Sequence, residues 1–128
     1  MIEPSYYPLP DGRRIAFRFS AGSGPTLVFL PGYMSDMAGG KATAVFDWAQ
    51  AHGRACLLLD YSGCGKSSGD FADGTLSRWR DEVLALIAAN CPDKTVLIGS
   101  SMGGWLMLLV ALAMPDRIAA LVGIAAAP

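Results

Sequence analysis

The sequence predicts an α/β protein with a doubly wound, mostly parallel sheet and helices on both faces. Three observations lead there. Short apolar runs of strand length alternate with segments of helical periodicity, the pattern of βαβ crossovers. Glycine-rich loops follow the apolar runs, at the strand ends where ligands bind in open sheets. Hydrophobic residues make up 52% of the chain against 16% charged, the balance expected of strands covered on both faces.

Met1 to Ser20 opens with Pro4, Pro8 and Pro10 and turns at Asp11-Gly12. It then alternates through Arg14 to Phe19, which reads as an edge-like strand with one buried face. Ala21 to Pro25 reads as a turn, and Thr26 to Leu30 as a central parallel strand stopped by Pro31-Gly32. A loop to Gly40 precedes a helix from about Lys41 through Val45, Phe46 and Ala49 to near His52. Ala55 to Leu59 is the next buried run, closed by Asp60. A second glycine-rich loop, Tyr61 to Gly74, leads to a helix over Leu76 to Asn90, capped by Thr75, with Trp79, Val83, Leu86 and Ile87 on one face.

Thr95 to Ile98 then runs into Gly99-Ser100-Ser101-Met102-Gly103 and a helix to about Met114, followed by a strand over Ala120 to Ile124. No repeat, low-complexity segment or linker divides residues 1–128, which read as one domain.

The Gly99 to Gly103 turn organises the chemistry. A strand that turns sharply into a helix needs small residues two positions before and two after the turning residue, and Gly99 and Gly103 provide them around Ser101. Such a turn presents the Ser101 hydroxyl at the carboxyl end of the strand, where it can attack a carbonyl carbon. The Met102 N–H at the helix start is placed to receive the oxyanion. The second donor expected is the Tyr33 N–H, with Gly32 allowing close approach of the backbone.

Other chemistries find less support. The net charge is −1, with no basic stripe or acidic tail, so no nucleic-acid partner is expected. Cys56, Cys64 and Cys91 lack metal-site spacing and read as reduced packing residues, so no metal is expected. Gly65-Lys66-Ser67 ends like a phosphate-binding loop, but the glycine required upstream is replaced by Asp60, whose charge opposes phosphate. A nucleotide-binding domain is therefore the weakest of three alternatives. No apolar run is long enough for a membrane span, and Met1 to Pro10 lacks a secretory signal. A soluble cytoplasmic protein is expected, or one of the mitochondrial matrix in a eukaryote.

Taken in order, Pro31-Gly32, Asp60-x-x-Gly63-x-Gly65-x-Ser67 and Gly99-x-Ser101-x-Gly103 resemble the ordered motifs of the α/β-hydrolase superfamily. The resemblance is closer still to its mitochondrial acyl-protein thioesterase and acyl-glucuronide esterase group with bacterial relatives. Leu30 to Met37, Asp60 to Gly69, Trp79-Arg80-Asp81 and Gly99 to Met107 carry it. It implies Ser101 as nucleophile, Tyr33 and Met102 as oxyanion donors, a small acyl ester or thioester as substrate, and no cofactor.

The resemblance covers about Phe17 to Pro128, only the amino-terminal half of such a protein, so a domain incomplete at its C-terminus is expected. The fold's triad order is nucleophile, acid, histidine. After Ser101 the sequence has one carboxylate, Asp116, read as a turn residue, and no histidine. The single histidine, His52, is expected about 18 Å from the catalytic edge, at the far end of its helix. The chain alone is accordingly expected to be nearly inactive and to self-associate through the Ala120 to Ile124 edge. A catalytically inactive binding module of the same fold is the alternative.

Overall fold

The computed structural model describes residues 3–33 and 35–125. The domain end expected at Pro128 lies outside the described residues. The strands are β1 (Ser5–Pro8), β2 (Arg14–Ser20), β3 (Ser23–Leu30), β4 (Arg54–Leu59), β5 (Thr95–Ser100) and β6 (Ile118–Ile124). The helices are α1 (Gly40–Ala51), α2 (Leu76–Asn90) and α3 (Met102–Ala113). The strands form one sheet in the order β1-β2-β4-β3-β5-β6. From β4 through β3 and β5 to β6 every pairing is parallel, whereas β1 and β2 join antiparallel.

Alternation along the strands divides the core between two faces. Val28, Leu30, Leu57, Leu59 and Leu97 point to the side covered by α2 and α3, where Trp79, Val83, Leu86, Ile87, Leu106 and Val110 meet them. Phe29, Cys56 and Leu58 point the other way, onto Ala42, Phe46 and Ala49 of α1. The Thr75 hydroxyl accepts the Arg78 N–H at 3.1 Å, the capping bond its residue type favours.

Two sequence expectations need correction. Arg14 to Phe19 is not the sheet edge: Ser5–Pro8 pairs antiparallel with it, and β2 lies between β1 and β4. Pro8 suits that outer position because an edge strand tolerates a residue without an N–H. The chain over Ala21 to Pro25 is also not wholly a turn. Ser23 already pairs with Arg54, and a register shift follows before Leu27.

At the other side β6 has an apolar sequence yet is exposed along most of its length, with Leu121 and Val122 more than two-fifths accessible. Beside it, α3 carries no charged residue, and its Leu108 and Leu112 face solvent. No described helix is long and apolar enough to cross a membrane.

Candidate active site

The parallel strands deliver three loops to one end of the sheet. These are the segment after Leu30, the segment after Leu59, and the turn from β5 into α3. Ser101 occupies that turn with φ 54° and ψ −119°, a left-handed conformation that a serine adopts only when its surroundings enforce it. The enforcement is visible on both sides. A Cβ on Gly99 would collide with the Gly103 carbonyl, and one on Gly103 would collide with the Leu30 carbonyl. Both positions therefore leave no room for a side chain.

Ser101 itself is exposed. Its N–H donates to the Ile124 carbonyl at 3.0 Å, and its carbonyl accepts the Gly104 N–H at 2.9 Å. The N–H groups of Met102 and Gly103 belong to the first turn of α3, where an α-helix offers its own amides no acceptor. Gly32 backs onto the serine, since a Cβ there would stand 3.2 Å from the Ser101 Cβ and 3.8 Å from its Oγ. The segment carrying Tyr33 thus runs alongside the hydroxyl. The Tyr33 ring lies 62% exposed, edge-on to Phe71 at 5.3 Å. With Phe71, Leu76, Trp79, Met102 and Trp105 it lines an open apolar groove of about 500 Å³.

The second loop is folded around Asp60. Its buried carboxylate accepts the Met37 N–H at 2.7 Å and the Lys66 N–H at 2.9 Å. Burial raises the pKa of Asp60, opposed by those two N–H bonds. Gly65, at φ 49°, is required because any Cβ would occupy the carboxylate's place, and Gly63, at φ 79°, lies against the Phe71 backbone. The Ser67 hydroxyl donates to the Asp60 carbonyl at 2.6 Å and accepts the Ala16 N–H at 2.8 Å. The amides of Gly63, Cys64, Lys66 and Ser67 are all spent on acceptors within this loop and its strand. A phosphate cradle needs such amides free, which argues against nucleotide binding.

Two residues of this neighbourhood went unread in the sequence. Tyr61, fully buried, donates its hydroxyl to the Pro31 carbonyl at 2.8 Å. Glu82, buried on α2, accepts the Ser62 N–H at 2.8 Å and pairs with Arg13 at 2.7 Å. The available signal for Glu82 was a carboxylate within the apolar stripe of Trp79, Val83 and Leu86.

His52 and Asp116 stand apart from Ser101. His52 closes α1, stacks on Trp48 at 4.2 Å and precedes the start of β4. Asp116 lies in a short turn just before β6. Strands β4, β5 and β6 are parallel, so both residues lie at the strands' amino end and Ser101 at their carboxyl end.

A mostly parallel sheet with a strained serine between strand and helix defines a hydrolase-type α/β architecture. Comparison agrees: residues 25–128 match the alpha/beta hydrolase fold family, and the chain belongs to it. Human mitochondrial palmitoyl-protein thioesterase ABHD10 is 42% identical over 123 residues, 96% of this chain and 40% of that protein. The structure of mouse alpha/beta hydrolase domain-containing protein 10 superposes with a TM-score of 0.94 at 39% identity, covering 98% of this chain and 50% of that one. A putative hydrolase from Agrobacterium vitis S4 gives a TM-score of 0.91 at 38% identity, covering 100% of this chain and 54% of that one. The chain thus spans about half the length of the relatives it matches, or less.

Proposed function

We propose that residues 1–128 are the nucleophile-bearing part of a serine carboxylesterase or acyl thioesterase, an incomplete domain whose triad acid and histidine come from polypeptide outside this sequence. The observation that carries the reading is Ser101, held at φ 54° between Gly99 and Gly103 with Gly32 against its side chain. A base takes the Ser101 proton as Oγ bonds to the carbonyl carbon. The N–H groups of Met102 and Tyr33 form the oxyanion hole for the resulting alkoxide. Collapse expels the alcohol or thiol, which takes up the proton, and water then hydrolyses the acyl-enzyme. No cofactor takes part.

Support for an acyl substrate comes from the names of the thioesterase relatives and from the apolar groove beside Met102. The relatives' mitochondrial naming supports the matrix as compartment in a eukaryote, and the cytoplasm is proposed otherwise. Support for an external base is positional: the chain's one histidine is at the wrong end of the sheet. The same observation favours the second reading, a catalytically inactive binding module with the same cleft.

The deciding experiment measures hydrolysis of p-nitrophenyl acetate and an acyl thioester by this chain, its Ser101→Ala variant, and a version extended through the downstream reading frame. Turnover by the extended protein alone, abolished by Ser101→Ala, supports the proposal. Turnover by none of them supports the binding module. Turnover by the 128 residues that Ser101→Ala abolishes would show that the base lies within this chain or a second copy of it.

A further inference from the structure

The segment that carries Tyr33 is tied down at both ends by two consecutive residues just after a neighbouring strand. Tyr61 and Asp60 follow β4 directly. The Tyr61 hydroxyl holds the Pro31 carbonyl at 2.8 Å, just before Gly32, and the Asp60 carboxylate holds the Met37 N–H at 2.7 Å, just beyond Asp36. The described residues Gly32, Tyr33, Ser35 and Asp36 lie between these two ties. From them we infer that Tyr61 and Asp60 are positioning residues that fix the Tyr33 N–H beside Ser101. This inference rests on the proposed hydrolase function.

Each tie is built for rigidity. Tyr61 is fully buried and its ring stacks on Trp79 at 5.7 Å, so its hydroxyl has little freedom to leave the carbonyl. Gly103 also lies close to the Pro31 carbonyl: a Cβ there would stand 2.8 Å from its oxygen, so the first turn of α3 packs against the same peptide. Asp60 divides its two carboxylate oxygens between the Met37 and Lys66 amides, and Gly65 leaves the space it fills. A carboxylate placed to accept one N–H from each of two loops couples them. The residues after β4 thereby register the segment after β3 against the loop after β4, and Gly32 of that segment lies against Ser101.

The arrangement matters because oxyanion stabilisation depends on donor position within a few tenths of an ångström, whereas substrate affinity drawn from an apolar groove does not. Loss of a tie should therefore lower kcat and leave KM in place. A purely structural role would instead lower global stability: apparent kcat would fall with the folded fraction at the same KM, but exchange would quicken in β5 and α2 as well as in this segment.

The test uses the Ser101-dependent enzyme with Tyr61→Phe, which removes one oxygen and keeps the buried ring, and Asp60→Asn as the second variant. Two readouts are taken: ester hydrolysis, and amide hydrogen exchange over residues 32–37. Expected for Tyr61→Phe is a fall in kcat of about tenfold at unchanged KM, with exchange about tenfold faster in that segment and unaltered in β5 and α2. Asp60→Asn is expected to change the same two readouts in the same direction. Unchanged exchange over 32–37 in both variants, or a raised KM at unchanged kcat, overturns the inference while leaving the hydrolase reading intact. Hydrolysis that survives Ser101→Ala overturns the hydrolase reading and the inference together.

Discussion

The Ser101 N–H donates to the Ile124 carbonyl at 3.0 Å, so the last residue of β6 anchors the turn that carries the serine. This bond removes the Ser101 amide from the set of free donors and leaves those of the first turn of α3. It also makes the exposed strand β6 part of the site's support.

The strain at Ser101 can be measured directly. At φ 54° and ψ −119° a glycine is at ease and a Cβ-bearing residue is not. Ser101→Gly is expected to be more stable than Ser101→Ala by about 1 kcal/mol, read from urea midpoints, even after glycine's larger unfolded-state entropy is counted. Equal midpoints would show that the turn imposes no strain. Placed in the version extended through the downstream reading frame, both substitutions should abolish hydrolysis.

Gly32 needs its missing side chain for the serine's sake. A Cβ at that position would stand 3.2 Å from both the Ser101 Cβ and the Ser100 carbonyl, close enough to displace them by a few tenths of an ångström. In the version extended through the downstream reading frame, Gly32→Ala is expected to lower turnover by about tenfold with little change in thermal midpoint. A midpoint that collapses along with activity would assign Gly32 to folding instead.

Burial pushes the thiol of Cys56 up to about 12 and that of Cys91 up to about 11, from an ordinary value of 9.0. Folded thiols therefore keep their protons in a range where unfolded ones lose them, and the unfolded state binds fewer protons. Stability is then constant below about pH 8 and falls as pH rises through 9 toward 11, by about 1 kcal/mol per thiol at pH 10. Denaturation midpoints taken at pH 7.5 and pH 10 check the sign. Thiol alkylation at pH 8 should be slow until urea unfolds the chain.

The apolar side of β6 and α3 should govern association of the isolated chain. Leu112 is 81% exposed and Val122 44% exposed on neighbouring elements. Leu112→Glu combined with Val122→Lys is expected to shift the chain toward monomer in sedimentation velocity, because charge on an open strand and its flanking helix opposes edge pairing. A wild-type chain that is monomeric at high concentration would remove the proposal of self-association.

Much of this was legible locally. Thr75 capping α2, the Trp79, Val83, Leu86 and Ile87 stripe, and the glycines flanking Ser101 are short-range patterns whose periodicity or steric demand is written in adjacent residues. The strand Ser5–Pro8 was not, because a proline-punctuated tetrapeptide becomes a strand only when β2 offers it a partner. Tyr61 was hidden for a related reason: nothing near it in sequence foretells a hydroxyl bond to Pro31, thirty residues away.

By itself, then, the sequence determined the alternation of strands and helices and the serine turn with small residues on either side, since each follows from residue size and spacing over a few positions, whereas the Asp60 to Ser67 motif was read only from its resemblance to the family. The tertiary structure decided the strand order, the burial of Asp60 and Tyr61 against the segment after β3, and the opposite ends of the sheet occupied by His52 and Ser101. Those depend on which distant segments share a hydrogen-bond ladder, and parallel pairing brings together residues that no local pattern connects.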